Sequence, residues 1–498
     1  MDSFREKIVQ GLLLCATLAL LSSGTAIARA QSSSTAPGPL RVSKVNPRYF
    51  ADPSGKIVYL TGSHTWDNGM EDRGTIDPPP PFDYTRFLKF LVAHNHNWFR
   101  MWTAELANLD TGNHDPYEDI IVPPFKWMRT GPGKANDGKL KFDFTRLDQN
   151  YFDRMRARVI QAGQSGLYVS VMLFDGYEWQ FETGPHDGNA FAAGNNVNGV
   201  NCPGTCPSDS SAMSPAVWDI EKAYLHKVVD TVNDLDNVMY EVSNEAGTYS
   251  TEWQARVIAE VHRYEAGKPK QHPVGMTFQW KGGSESTLYA SEADWVSPGE
   301  PYPGDKRGIK VVINDTDHSY GWVRLKNDGQ AAQQSWVWKN LTSGNNVAFM
   351  DPYLVAWGID RNEANAPKPP RYRNQPVGRP SDPYIGAEVD PYWEVLRNAM
   401  GRARTYADKI DLLHMTPHAE TCSTGFCLAY AGHQYLVYQP ASRSAFTVDL
   451  AAGTYTAEWY DPTRGAIAET TSVTAGGGNE SFTPPASIAA DSMLWLHR

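Results

Sequence analysis

Cysteine is scarce in this chain: five in 498 residues. Cys15 falls in an apolar leader, which leaves Cys202, Cys206, Cys422 and Cys427. So few thiols exclude a small disulfide-stapled scaffold. The four form two pairs close in sequence, which in an exported chain predicts two local disulfides, Cys202–Cys206 and Cys422–Cys427. A four-thiolate zinc site is the alternative, but neither pair has the usual two-residue spacing, and no metal or other cofactor is expected. HExxH does not occur and there is no convincing Ser-His-Asp set, so peptidase chemistry has little support. Positive charge is also in deficit. Lys and Arg number 45 against 56 Asp and Glu, a net charge of −11. That balance disfavours nucleic acid and anionic membranes as partners. Beyond the leader no stretch is apolar enough to cross a bilayer, so no membrane span is expected in the mature chain. The oligomeric state has no sequence signal.

The leader is a basic start (Arg5, Lys7), an apolar run from Gly11 to Leu21, and Ala28-Arg29-Ala30, an A-x-A cleavage pattern. Residues 1–30 are therefore expected to be a Sec signal peptide cut after Ala30, which places the protein in the periplasm or outside the cell. Residues 31–41, rich in Ser, Thr and Pro, read as a disordered linker.

From Val42 onward apolar runs alternate with amphipathic stretches, the pattern of an α/β fold with a parallel sheet. Strands are expected at 57–61, 97–102, 167–174, 238–242, 274–278, 295–297, 309–313 and 347–350. Helices are expected at 84–93, 151–164, 215–235, 253–264, 335–341 and 393–410. Eight such steps fit a (β/α)8 TIM barrel spanning 42–413. The Gly- and Asn-rich stretch 184–211 follows strand three and should shape the cleft. From 414 to 498 short alternating segments are separated by Gly, Pro, Ser and Asp, which predicts a small all-β sandwich.

The chemistry concentrates at strand ends, where a barrel keeps its catalytic groups. The run Val238-Met239-Tyr240 with Val242 stops abruptly at Ser243, Asn244 and Glu245. A carboxylate beside an amide suits acid/base work on a sugar bond. The second carboxylate should come from strand seven, as Asp315 or Asp317. Asp315 is nearer the strand and preferred as nucleophile; Asp317, beside His318, is the close rival. Arg100, inside strand two, should lower the pKa of the nucleophile and orient it. His64, Trp66, Trp102, Asp175, Trp280, Tyr302, His318 and Asp351 all fall at or just past strand ends. There the rings could stack on sugars and the polar groups could bind hydroxyls. The heavy aromatic content, 16 Trp and 24 Tyr, is consistent with such stacking.

The pieces NHNWFRMW with Arg100, LYVSVMLF, and the Asn244-Glu245 pair resemble the cellulase-like (β/α)8 glycoside hydrolases of the retaining clan. VGMTFQWKGG, INDTDH and VAFMDPY resemble a bacterial subgroup near the apiosidase-type enzymes. The resemblance implies that Glu245 is the acid/base and the strand-seven carboxylate the nucleophile. The chain departs from the clan there, carrying Asp where Glu is usual. The tail from about Cys422 resembles a small β-domain labelled collagen-binding in such proteins. The expected function is an exported glycosidase acting on a plant or microbial polysaccharide or oligosaccharide. The alternative is a non-catalytic carbohydrate- or matrix-binding protein on a barrel scaffold.

Overall fold

A computed structural model describes residues 36–65, 69–73, 77–79, 81–109, 120–181, 188–280, 282–302, 309–319, 322–351, 353, 389 and 391–498. The leader, residues 31–35 and Trp66 lie outside these. Eight parallel strands form the centre: β1 Thr61–His64, β2 Trp98–Met101, β3 Tyr168–Asp175, β4 Val238–Asn244, β5 Val274–Thr277, β6 Trp295–Ser297, β7 Val311–Asp315 and β8 Asn346–Met350. From β2 to β8 each pairs with the next in order, and β8 pairs with β1, so that β1 and β2 meet at the seam of the barrel. Helices cover the outside, so the strands are buried almost throughout, which explains their near-continuous apolar runs.

Asn97 stitches the β1–β2 seam. Its backbone N–H donates to Thr61 O at 2.9 Å. Its side chain accepts from Thr61 N at 3.0 Å and donates to Tyr59 O at 2.9 Å. Gly62 lets the strands touch, since a Cβ there would lie 1.6 Å from Trp98 O. Gly62→Ala should therefore force β1 off β2 and destabilise the chain by about 3 kcal/mol or more. A denaturant melt matching the parent chain would contradict this closure.

The first strand differs from expectation. Ile57–Val58 belongs to a small antiparallel sheet with Arg41–Val42 and Phe50–Ala51. The barrel strand is the more polar TGSH segment, buried at all four residues. Side-chain hydrogen bonds such as Asn346 Oδ1 to Leu60 N, 2.8 Å, set that register, and a hydrophobicity pattern does not register them. The linker expectation also fails in part: Ala36 and Leu40 are buried in a cluster with Trp98, Tyr168 and Met239. These three residues lie at or near the N-terminal ends of their strands, so the segment plugs the barrel floor.

The helices start where their caps stand. Asp83, Asp148 and Ser214 accept first-turn N–H groups of Tyr84–Ala93, Gln149–Gln164 and Pro215–Val232. The helix expected at 335–341 is the end of a longer one, Trp322–Thr342, broken at Gly329. A hairpin of Trp127–Lys134 and Leu140–Leu147 was not foreseen.

The C-terminal region holds a six-stranded antiparallel sheet and a two-stranded one, Phe446–Leu450 with Gly478–Phe482. Val437, Leu494 and Leu496 of the larger sheet share a core with Phe446, Val448 and Phe482 of the smaller. A second cluster joins this region to the barrel: Trp336, Trp338 and Tyr406 meet Leu436, Tyr438 and Tyr460. Tyr406 OH and Lys409 Nζ both reach Glu458 Oε1, at 2.7 and 2.6 Å.

Cys202 and Cys206 are joined, with Cα atoms 5.2 Å apart. Cys422 and Cys427 are not, which corrects the second expected disulfide: both are buried free thiols. The loop turned by Gly425 (φ 75°) directs Cys422 Sγ to Thr424 Oγ1 at 3.1 Å. A hydrogen bond from the Cys427 thiol is the largest influence bringing Cys422 down to about 6.

Candidate active site

Arg100 is the third residue of β2 and is fully enclosed inside the barrel. Its Nε donates to Glu241 Oε2 at 2.8 Å, and its Nη1 forms an ion pair with Asp315 Oδ2, also at 2.8 Å. Arg100 thus ties β2 to β4 and β7. Glu241 was not anticipated, although a carboxylate between Tyr240 and Val242 in an apolar strand is a visible signal.

Asp315 is the last residue of β7 and has no exposed surface. His64 Nε2 lies 2.8 Å from the same Oδ2 that Arg100 holds. Trp102 Nε1 donates to His64 Nδ1 at 2.9 Å. Indole nitrogen can only donate, so His64 carries its proton on Nε2 and gives it to Asp315. Burial lowers the His64 pKa, against the pull of Asp315, so this imidazole is neutral. Burial opposes ionisation of Asp315 too, but His64 and Arg100 outweigh it and hold the carboxyl below its ordinary range. The other oxygen, Oδ1, accepts the Asp317 N–H at 3.1 Å. Asp315, expected as the nucleophile, is thus an anion with both oxygens engaged.

Asp317 follows two residues on. Its Oδ2 is buried without a hydrogen-bond partner. Carboxylate oxygens of Asp317 and Glu245 and a ring nitrogen of His318 all lie within 4.8 Å of one another. Carboxyl groups about 5–5.5 Å apart are the retaining arrangement, and inverting pairs stand about 6.5–9.5 Å apart. Glu245, one residue past β4, takes a left-handed backbone, φ 44°. Burial pushes its pKa up to about 7, opposed by Arg100. Burial also raises Asp317 well above the ordinary range, with Glu245 and Asp315 adding to it and Arg100 opposing.

His318 Nε2 stands 3.0 Å from Asn244 Oδ1, so it carries the hydrogen and donates. Burial, then Arg100, pushes this imidazole down to about 3. With Nε2 donating, its lone pair is on Nδ1, which faces Ser297 Oγ at 3.5 Å. The three groups that could converge on a metal are therefore arranged as an acid pair with a hydrogen-bonding histidine.

The other expected residues divide. Asp175 ends β3 level with Asn244; burial, then Glu178, raises its pKa well above the ordinary range, which suits a neutral hydroxyl donor. Trp102 is buried with Arg100 over its ring at 5.4 Å, so it supports rather than lines the cleft. Trp280 and Tyr302 are exposed by 47% and 37%, which leaves ring surface for a ligand. Trp280 also bridges Gly247, two residues past Glu245. Asp351, expected to bind a hydroxyl, is instead gripped by Arg397 through both oxygens, at 2.8 and 2.6 Å. The helix Glu394–Lys409 brings that guanidinium in, and sequence distance hid it.

No protein-family model and no curated protein matches the sequence. Solved structures match in fold. A glycoside hydrolase superposes with a TM-score of 0.55 over 92% of this chain and 97% of its own, at 12% identity. A family 5 glycoside hydrolase from Bacteroides vulgatus ATCC 8482 gives 0.57 over 92% and 93%, also at 12% identity. The chain therefore shares a fold with these proteins: a (β/α)8 barrel carrying antiparallel sheets at its C-terminal end.

Proposed function

We propose that this protein is a retaining glycosidase, with Glu245 as acid/base and Asp317 as nucleophile. The observation that carries this is the approach of those two carboxyls at the C-terminal ends of β4 and β7. Asp317 has an oxygen free to attack an anomeric carbon, whereas both oxygens of Asp315 are occupied. Burial acts strongly on Asp317, and Arg100 opposes that shift as it opposes the one at Glu245. We assign the shared proton to Glu245, the carboxyl that follows Asn244 at the end of β4.

In the first step Asp317 attacks the anomeric carbon while Glu245 protonates the departing oxygen, leaving a glycosyl ester on Asp317. In the second Glu245, now a base, takes a proton from water as the ester breaks. Asp315 does not react. Its charge, fixed by Arg100 and His64, orients the Asp317 backbone. The exposed Trp280 and Tyr302 offer sugar-stacking surface, and Asp175 and His318 offer hydroxyl contacts.

The basic leader pattern supports export, so the substrate class we infer is extracellular plant or microbial polysaccharide, or oligosaccharides derived from it. The barrel, 42–413, carries every residue of the chemistry. The tail, 414–498, is an accessory β-sandwich packed on it.

Activity should depend on pH through Glu245. A carboxyl raised to about 7 is protonated below that value and loses its proton above it. kcat/KM should therefore fall as pH rises through about 7, and Glu245→Gln should abolish that limb. A limb unchanged in the variant would assign the proton elsewhere. The direct test is a panel of 4-nitrophenyl glycosides and plant and microbial polysaccharides, with anomeric configuration followed by NMR. Inactivity of the wild-type chain across the whole panel would favour the carbohydrate-binding alternative.

A further inference from the structure

Glu245 adopts its φ of 44° directly after an extended strand. A side chain with a Cβ disfavours that region, and such a residue persists only where its surroundings hold it. The hold comes from β3's exit. The short helix Gly176–Phe181 follows that strand, and Gln180 Nε2 on it donates to the backbone carbonyl of Glu245. Gly176 N donates to Ser243 Oγ at 3.0 Å. A Cβ on Gly176 would lie 2.5 Å from the Cα of Ala246, so the helix start presses against the turn itself. On the far side Gln279 Nε2 reaches Gly247 O at 3.3 Å.

The helix is rigidly seated. Glu178 Oε2 accepts the N–H groups of Glu105 and Leu106 at 2.7 and 2.8 Å. Arg73 pairs with its other oxygen at 2.5 Å, and Trp179 is 1% exposed. Gln180 therefore projects from a fixed element, and its amide is the one polar side-chain group recorded on the Glu245 carbonyl among the described residues. The Glu245 carbonyl turns with ψ, and holding it sets the direction in which Cβ and the carboxyl leave the chain.

We propose that Gln180 is a positioning residue that aims the Glu245 carboxyl across the cleft at Asp317. This rests on the acid/base reading of Glu245. Gln180 touches no substrate. It acts by keeping the turn in its left-handed form, and without the hydrogen bond the turn relaxes and the acid swings away.

The test is Gln180→Met, which keeps the length of the side chain and removes the donor, beside Glu245→Gln. Each is assayed on the 2,4-dinitrophenyl and the unsubstituted phenyl glycoside of one sugar that the wild-type chain hydrolyses. A displaced acid matters only where the leaving group needs a proton. Gln180→Met should lose about tenfold to a hundredfold in kcat/KM on the phenyl glycoside and less than about twofold on the dinitrophenyl one. Its basic pH limb should move, with the melting temperature within a few degrees of wild type. Equal losses on both substrates would indicate a merely structural residue, and no loss on either an idle contact; either result overturns the proposal. If Glu245→Gln itself shows no leaving-group bias, the acid/base reading has failed and the positioning role falls with it. If Glu245→Gln shows the bias and Gln180→Met does not, only the role of Gln180 is lost.

Discussion

Asp317→Asn should lower kcat by about 10⁴-fold or more on every glycoside, whatever its leaving group. An amide cannot form the glycosyl ester, so no degree of leaving-group activation restores the first step. The same variant should keep its stability or gain some. The Asp317 carboxyl is raised by burial and by two neighbouring carboxyls, so its ionised form works against folding. Removing it relieves that repulsion, the usual exchange between function and stability. Asp315→Asn should behave differently. It takes an anion from Arg100 and His64 and leaves a buried guanidinium with Glu241 alone. Breaking such a buried pair costs about 3–5 kcal/mol, so a large drop in melting temperature should accompany its loss of activity. Melting curves and kcat for the two variants separate the roles. A stable, inactive Asp315→Asn beside an active Asp317→Asn would reverse them.

Glu245→Gln should lose about 10³-fold on glycosides with poor leaving groups and far less in the first step for dinitrophenyl glycosides, which need no proton. Water must still be activated to free the sugar, so the glycosyl-enzyme should accumulate. A burst of dinitrophenol followed by a slow steady state is the expected trace. In Glu245→Ala, azide can enter the vacated space and needs no base, so it should speed the slow phase and yield a glycosyl azide of retained configuration. Equal loss on all leaving groups, with no burst and no effect of azide, would remove Glu245 from the acid/base role.

The barrel was legible because its strands are buried on both faces, which writes long apolar runs such as Leu167–Phe174. The site was legible where polarity interrupts those runs, as at Asn244 and Glu245 or at Asp315 to His318. Arg100 stood out as a charge inside a strand, and its contact with Asp315 follows from the geometry of β2 and β7. What stayed hidden depends on side-chain partners far apart in sequence. Asp351 reads like a site residue until Arg397, 46 residues on, takes its carboxylate. Choosing between Asp315 and Asp317 needed the His64–Trp102 hydrogen bond, which no periodicity announces. Thr61–His64 was displaced from its expected place because Gly and Ser carry no hydrophobic signal, though a glycine is what the β1–β2 contact requires.

The most direct measurement is to trap the glycosyl-enzyme. A 2-deoxy-2-fluoro glycosyl fluoride of a sugar the wild-type chain hydrolyses should inactivate it with one sugar bound per chain, located by peptide mass spectrometry. Trypsin should release residues 311–324, a peptide that contains both Asp315 and Asp317, and its fragment ions distinguish the two. The sugar should be esterified to Asp317. A label on Glu245 would exchange the roles of the pair and a label on Asp315 would return the nucleophile to the strand. Turnover with inverted configuration and no adduct would contradict the retaining mechanism.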